Sequence, residues 1–168
     1  MRVIMIIAQK DFRDEELFDT KDALVQQNIG IDVAAPSTGT AFGKLGGTIE
    51  PDLSFDEVEL ERYDGIVFVG GPGAYDLIDD TSLHALANNF YNDDKVVAAI
   101  CIAPAILARA DLLGGKSATI HSSGENYLKE AEADYTEEDI EQDGKLITAN
   151  GPAVASLFGQ TIAKELRS

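Results

Sequence analysis

Val96-Val97-Ala98-Ala99-Ile100-Cys101-Ile102-Ala103-Pro104-Ala105-Ile106-Leu107 is an apolar strand that breaks into a helix, with the chain's only cysteine at the break. The residues before Cys101 read as a short strand buried on both faces. Those after it read as a helix with Pro104 in the first turn, where a missing N–H costs nothing. Ala99 and Ala103, two residues to either side of the cysteine, are both small. A sharp strand-to-helix turn that presents a nucleophile needs small neighbours at those offsets. Such a turn also aims the free N–H groups of the new helix at the sulfur, which favours thiolate over thiol. A second reading stays open at this point: free cysteine is among the most buried residue types, and apolar strands often hold an inert one.

Around this break the chain alternates between strand-like and helix-like segments, the mark of a largely parallel α/β sheet. Residues 2–8, 30–35 and 65–69 read as strands, with a short strand or hairpin at 48–53 and a loop at 39–47. Further strands are expected at 117–120, 135–142 and 145–148, the last two around the turn Asp143-Gly144. Helices are expected at 14–28, 81–92, 124–133 and 152–166. No repeat, linker or low-complexity tract interrupts the pattern, so residues 1–168 are read as a single domain.

A length of 168 residues can bury a substantial core, and 45% hydrophobic content indicates a globular chain. A single cysteine excludes an intramolecular disulfide and suits a reducing compartment. The N-terminal apolar run, 3–8, is too short for a secretory signal or a membrane span, so a cytoplasmic protein is expected. A net charge of −17 argues against nucleic acid or an anionic membrane as partner, because both would repel it. The acidic excess has two open readings, adaptation to high salt or an ordinary acidic soluble protein. Stability that does not rise between low and molar salt would remove the first.

Ligands of open α/β sheets bind outside the carboxyl ends of the strands. Glu15 and Glu16 follow the first strand, Gly70-Gly71-Pro72-Gly73 the 65–69 strand, and Cys101 the strand at 96–100. His121 and Asn150-Gly151-Pro152 follow the later strands. A thiol, an imidazole, carboxylates and a glycine-rich turn thus share one rim, which favours the reactive reading of Cys101.

The glycine turn could bring backbone close to a substrate and offer N–H groups to an oxyanion. Neither a P-loop nor a G-x-G-x-x-G pattern is present, so nucleotide binding has little support. Helix phase separates the two glutamates. Glu15 lies in a polar row with Asp19, Asp22 and Gln26 and should face water. Glu16 lies with Thr20, Ala23 and Gln27 beside the Leu17/Leu24 stripe and should be half-buried. Burial would raise its pKa, letting it donate a hydrogen bond to a thiolate or act as a base once ionised. His84 opens a polar-rich helix and reads as a surface residue. His121 could take the thiol proton or shuttle protons for a substrate, or be a structural histidine. One Cys, one exposed-rim His and scattered carboxylates do not make a metal site, and no metal is expected.

With these residues in place the chain resembles the PfpI/ThiJ superfamily of intracellular proteases, deglycases and glyoxalases. The features are Phe12-Arg13-Asp14-Glu15-Glu16-Leu17, Val69-Gly70-Gly71-Pro72-Gly73 and Ala98-Ala99-Ile100-Cys101-Ile102-Ala103-Pro104. Asp143-Gly144, Leu146-Ile147-Thr148 and Gly151-Pro152 complete a similarity that spans essentially the whole chain.

The resemblance implies a flavodoxin-like three-layer sandwich that dimerises or forms a higher homo-oligomer, works without a cofactor, and carries a strand–cysteine–helix nucleophile elbow. It implies Cys101 as nucleophile, Glu16 hydrogen-bonded to its sulfur, and His121 near the thiol. Backbone N–H groups around Gly70, Gly71 and Ile102 are implied to form an oxyanion pocket. One departure is informative: the PfpI-type proteases have histidine after the cysteine, whereas Ile102 stands here and cannot move a proton. The expected function is therefore action on small 2-oxoaldehydes such as methylglyoxal, or on glycation adducts of proteins. An oxidation-sensing or chaperone role for Cys101 and a peptidase activity remain the alternatives.

Overall fold

A computed structural model describes all 168 residues. Seven strands form the central sheet: β1 (Arg2–Ile6), β2 (Gly30–Ala35), β3 (Leu53–Ser54), β4 (Gly65–Phe68), β5 (Val96–Ile100), β6 (Ile140–Asp143) and β7 (Leu146–Ala149). Their order across the sheet is β6-β7-β5-β4-β1-β2-β3. All neighbours run parallel except β6, which pairs antiparallel with β7 at one edge. The helices are α1 (Asp14–Val25), α2 (Thr81–Asn92), α3 (Pro104–Arg109), α4 (Glu125–Glu130) and α5 (Ala155–Leu166).

β1 explains how the three layers hold together. A central parallel strand is covered on both faces, so every side chain after Arg2 can be apolar. Val3, Met5 and Ile7 point to one face and pack with Leu17, Leu24, Phe158 and Ile162 of α1 and α5. Ile4, Ile6 and Ala8 point to the other and join Leu83, Phe90, Leu107 and Leu128 of α2, α3 and α4. α1 and α5 meet backbone to backbone: a Cβ at Gly159 would stand 2.8 Å from both the Ala23 Cβ and the Thr20 carbonyl oxygen. The result is a flavodoxin-like sandwich in which β1, β4, β5 and β7 end on one rim. No helix is long and apolar enough to cross a membrane.

Several elements differ from their sequence expectations. The 117–120 strand shrinks to Ser117–Ala118 and lies outside the main sheet, paired with Asp134–Tyr135. Residues 135–142 split between that small ribbon and β6. The 39–47 loop contains a strand, Ala41–Gly43, held by Asp14, which accepts the Leu45 and Gly47 N–H groups at 2.8 and 2.7 Å. Local propensity carries no trace of these pairings, which depend on distant partners.

Candidate active site at the strand ends

Cys101 closes β5 in a left-handed conformation, φ +64°. That region costs a non-glycine residue about 1–2 kcal/mol. It persists because both flanking peptides are tied down. The Cys101 N–H donates to Ala149 O at 2.9 Å, and the Cys101 carbonyl accepts the His121 N–H at 2.8 Å. The turn throws the side chain off the sheet into a cleft of about 400 Å³, lined by Arg13, Glu16, Gly71, Tyr75, Cys101 and His121 among others. The thiol is half-buried rather than walled in.

Glu16 enters from the first turn of α1 and is fully buried, deeper than the half-buried placement that helix phase suggested, because the Gly70 and Cys101 loops cover that face as well. Its Oε2 accepts the Gly70 N–H at 2.8 Å, and Gly70 O in turn accepts the Arg13 N–H at 3.0 Å. Oε1 has no partner of regular hydrogen-bond geometry, although carboxyl and thiol lie close enough to perturb each other. Carboxyl and thiol therefore act on each other through charge and burial.

Burial raises Glu16 to about 7, opposed by the thiol and by the Gly70 N–H. Cys101 is pushed up to about 12, first by burial and then by the Glu16 charge, while the Ile102 and Gly71 N–H groups favour the thiolate. The upward push from charge exists only when Glu16 is ionised. With its proton in place Glu16 repels nothing and can donate to sulfur, so the two groups titrate as one pair.

His121 is exposed and lines the same cleft. Its Nδ1 accepts the Ser123 N–H at 3.2 Å and contacts Ser123 Oγ at 2.8 Å, and that oxygen lies 3.0 Å from the Tyr75 hydroxyl. An Nδ1 that accepts places the proton of a neutral ring on Nε2, leaving that nitrogen as the ring's donor.

Gly71 and Ile102 present N–H groups to the sulfur, with Gly71 at φ +104°. A Cβ there would come within 2.4 Å of the Arg13 nitrogen, so only glycine fits. Gly70 stands apart from the other oxyanion expectations, since its N–H is already spent on Glu16. Glu15, expected to face water, is half-buried and paired with Arg13, Nε to Oε2 at 2.8 Å. His84 is also only half-exposed, with Nε2 2.7 Å from Ile78 O. Arg13, Tyr75 and Ser123 are cleft residues that the sequence reading did not select. Only Arg13 had a usable signal, its place immediately before the acidic helix start.

A model of the DJ-1/PfpI family matches residues 1–165. The chain is 40% identical to the uncharacterized protein MJ0967 of Methanocaldococcus jannaschii, over 98% of this chain and 82% of that one. It is 27% identical to the deglycase TK1284 of Thermococcus kodakarensis, over 98% and 99% of the two chains. Its identity to the glutathione-independent glyoxalase DJR-1.2 of Caenorhabditis elegans is 24%, over 97% and 87%. Among solved structures, a ThiJ/PfpI domain protein from Brachyspira murdochii superposes with a TM-score of 0.97 at 32% identity, covering 99% of this chain and 96% of that one. By sequence along its whole length, and by a fold shared almost completely with a solved member, the chain belongs to the DJ-1/PfpI family.

Proposed function

We propose that this protein is a cofactor-independent cysteine enzyme that acts on small 2-oxoaldehydes, or on the adducts they form with proteins. The observation that carries this reading is the buried Glu16 carboxyl, with one oxygen unpartnered, set against the Cys101 thiol at the floor of an open cleft. A carboxyl raised to about 7 holds or releases a proton near neutrality, the requirement for acid–base work. Relatives named deglycase and glyoxalase support the same substrate class.

The chemistry follows from the geometry. The Cys101 thiol gives its proton to the ionised Glu16 as its sulfur attacks the aldehyde carbon of methylglyoxal; an S–C bond forms, the carbonyl electron pair moves to oxygen, and Glu16 returns the proton to that oxygen. The Gly71 and Ile102 N–H groups stabilise that oxygen while it is charged. Glu16 removes the proton from the sulfur-bearing carbon, and the enediol is reprotonated on the neighbouring carbon, leaving a thioester. His121 Nε2–H serves the second oxygen during this transfer. Water then cleaves the thioester, giving lactate and the free thiol, with no net oxidation or reduction. A peptidase reading gains no support, since the side chain after the nucleophile is the buried, apolar Ile102.

The test is lactate formation from methylglyoxal. Cys101→Ala should reduce it to the uncatalysed rate, and Glu16→Gln should lower kcat by about 10²–10⁴. Lactate production that survives Cys101→Ala would rule the mechanism out.

A further inference from the structure

The Cys101 cleft contains a single Lys or Arg side chain, Arg13, in a chain whose net charge is −17. Its position is fixed at both ends. The backbone N–H is bound to Gly70 O at 3.0 Å, and the guanidinium grips Glu15 through Nε at 2.8 Å and Nη2 at 3.3 Å. Nη1 makes no hydrogen bond. The Arg13 guanidinium also responds to the Glu16 and Cys101 charges, which places it within their electrostatic reach.

A partly solvated Arg–Glu pair contributes little to stability, so the pair itself does not account for a cation in the cleft. What the arrangement does offer is a planar donor held by one edge, with Nη1 free, in the cleft that also holds Cys101. The Nη1 edge matches a carboxylate. The surrounding negative charge would repel an anion at long range, so a local cation is needed for one to enter.

We propose that Arg13 is the anion anchor of this cleft, so that the site binds small 2-oxo and 2-hydroxy carboxylates with the carboxylate on the Nη1 edge and the neighbouring carbon over Cys101. This deepens the reading of Cys101 as the reacting atom: the 2-hydroxy acid formed there would leave against Arg13, and substrates already bearing a carboxylate would be preferred over neutral ones of the same size.

A charge-selective alkylation measures the anchor without any turnover. Iodoacetate and iodoacetamide react with the same sulfur and differ in one negative charge. A general change in accessibility alters both rates and leaves their ratio unmoved. At low ionic strength the iodoacetate-to-iodoacetamide rate ratio at Cys101 should fall about tenfold in Arg13→Met, be largely kept in Arg13→Lys, and rise several-fold in Glu15→Gln, where Arg13 is no longer neutralised. The same ratio in wild type and Arg13→Met overturns the proposal.

A titration of the backbone amide signals with glycolate and with uncharged glycolamide provides a readout independent of sulfur reactivity. Glycolate should bind at least tenfold tighter to wild type than to Arg13→Met, with glycolamide unaffected by the substitution. Equal glycolate binding by both proteins overturns the anchor. If neither reagent alkylates Cys101 while glycolate binding still depends on Arg13, the anchor stands and the reactive thiol falls.

Discussion

Glu16 meets Cys101 with one carboxyl oxygen committed and the other free: Oε2 accepts the Gly70 N–H at 2.8 Å, and Oε1 is buried without a partner. A fully buried carboxylate with a single donor is under-solvated, and the cheapest relief is a proton. The same proton serves the sulfur. With Glu16 at about 7 and the Cys101 thiol far above it, the pair passes from no charge to one negative charge around neutrality, and that charge appears first on the carboxyl.

This has a measurable consequence for stability. Burial lifts Glu16 from its ordinary 4.5 to about 7 in the folded protein. At pH 4 folded and unfolded chains both hold the proton, and nothing is lost. As the pH climbs toward 7, the unfolded chain releases the proton before the folded one does, so stability falls. Above 7 both are ionised and the loss is complete, about 3 kcal/mol at most. Glu16→Gln cannot ionise and escapes this loss. The difference in urea unfolding free energy between variant and wild type should move in the variant's favour by up to about 3 kcal/mol between pH 4 and pH 8. A difference that stays constant across that range would show Glu16 ionising freely.

Gly70 is where the glutamate and cysteine loops are locked together. A Cβ at this position would stand 2.7 Å from both Glu16 Oε2 and Ile100 O, and 2.8 Å from the Cys101 Cβ. Two of those neighbours belong to fixed backbone or to a strained turn, and neither can withdraw cheaply. Gly70→Ala should cost about 1–3 kcal/mol by thermal or urea unfolding and should pull Glu16 away from the sulfur. Lactate formation should drop along with stability. An alanine variant as stable and as active as wild type would mean that the packing is looser than the distances indicate.

The elements buried on two faces were the most legible in the sequence. β1, β4 and β5 are continuous apolar runs, and a run of that length between turn residues has few other uses. The helix expected at 81–92 has the bounds of α2, whose start Asp80 caps by accepting the Ser82 and Leu83 N–H groups. The 117–120 strand failed because its apolar residues, Ala118 and Ile120, fill the core under α3 and α4 rather than a place in the sheet. At the site, helix phase separated Glu16 from Glu15, and strand-end position drew His121 into consideration. The Tyr75–Ser123–His121 chain was invisible because it joins two turns far apart in sequence, and a hydroxyl's partner cannot be read from spacing. The Arg13–Glu15 pair was hidden for a different reason. Residues two apart on a regular helix do not face each other. They meet here because Arg13, at φ −78° and ψ 117°, lies just before the helix rather than within it.

Cys101 itself offers a test of whether the elbow stores strain. At φ +64° its Cβ crowds the backbone, and any side chain larger than hydrogen shares that cost. Cys101→Ala removes the sulfur and keeps the Cβ; Cys101→Gly removes both. Glycine loses more freedom on folding, which takes back part of its gain. With both terms included, Cys101→Gly should be more stable than Cys101→Ala by about 1 kcal/mol, the reverse of the order at an ordinary strand or helix position. Urea midpoints of the two inactive variants would decide it. If alanine equals or exceeds glycine, the Ala149 and His121 contacts hold an unstrained turn, and the sulfur's orientation follows from the sheet alone.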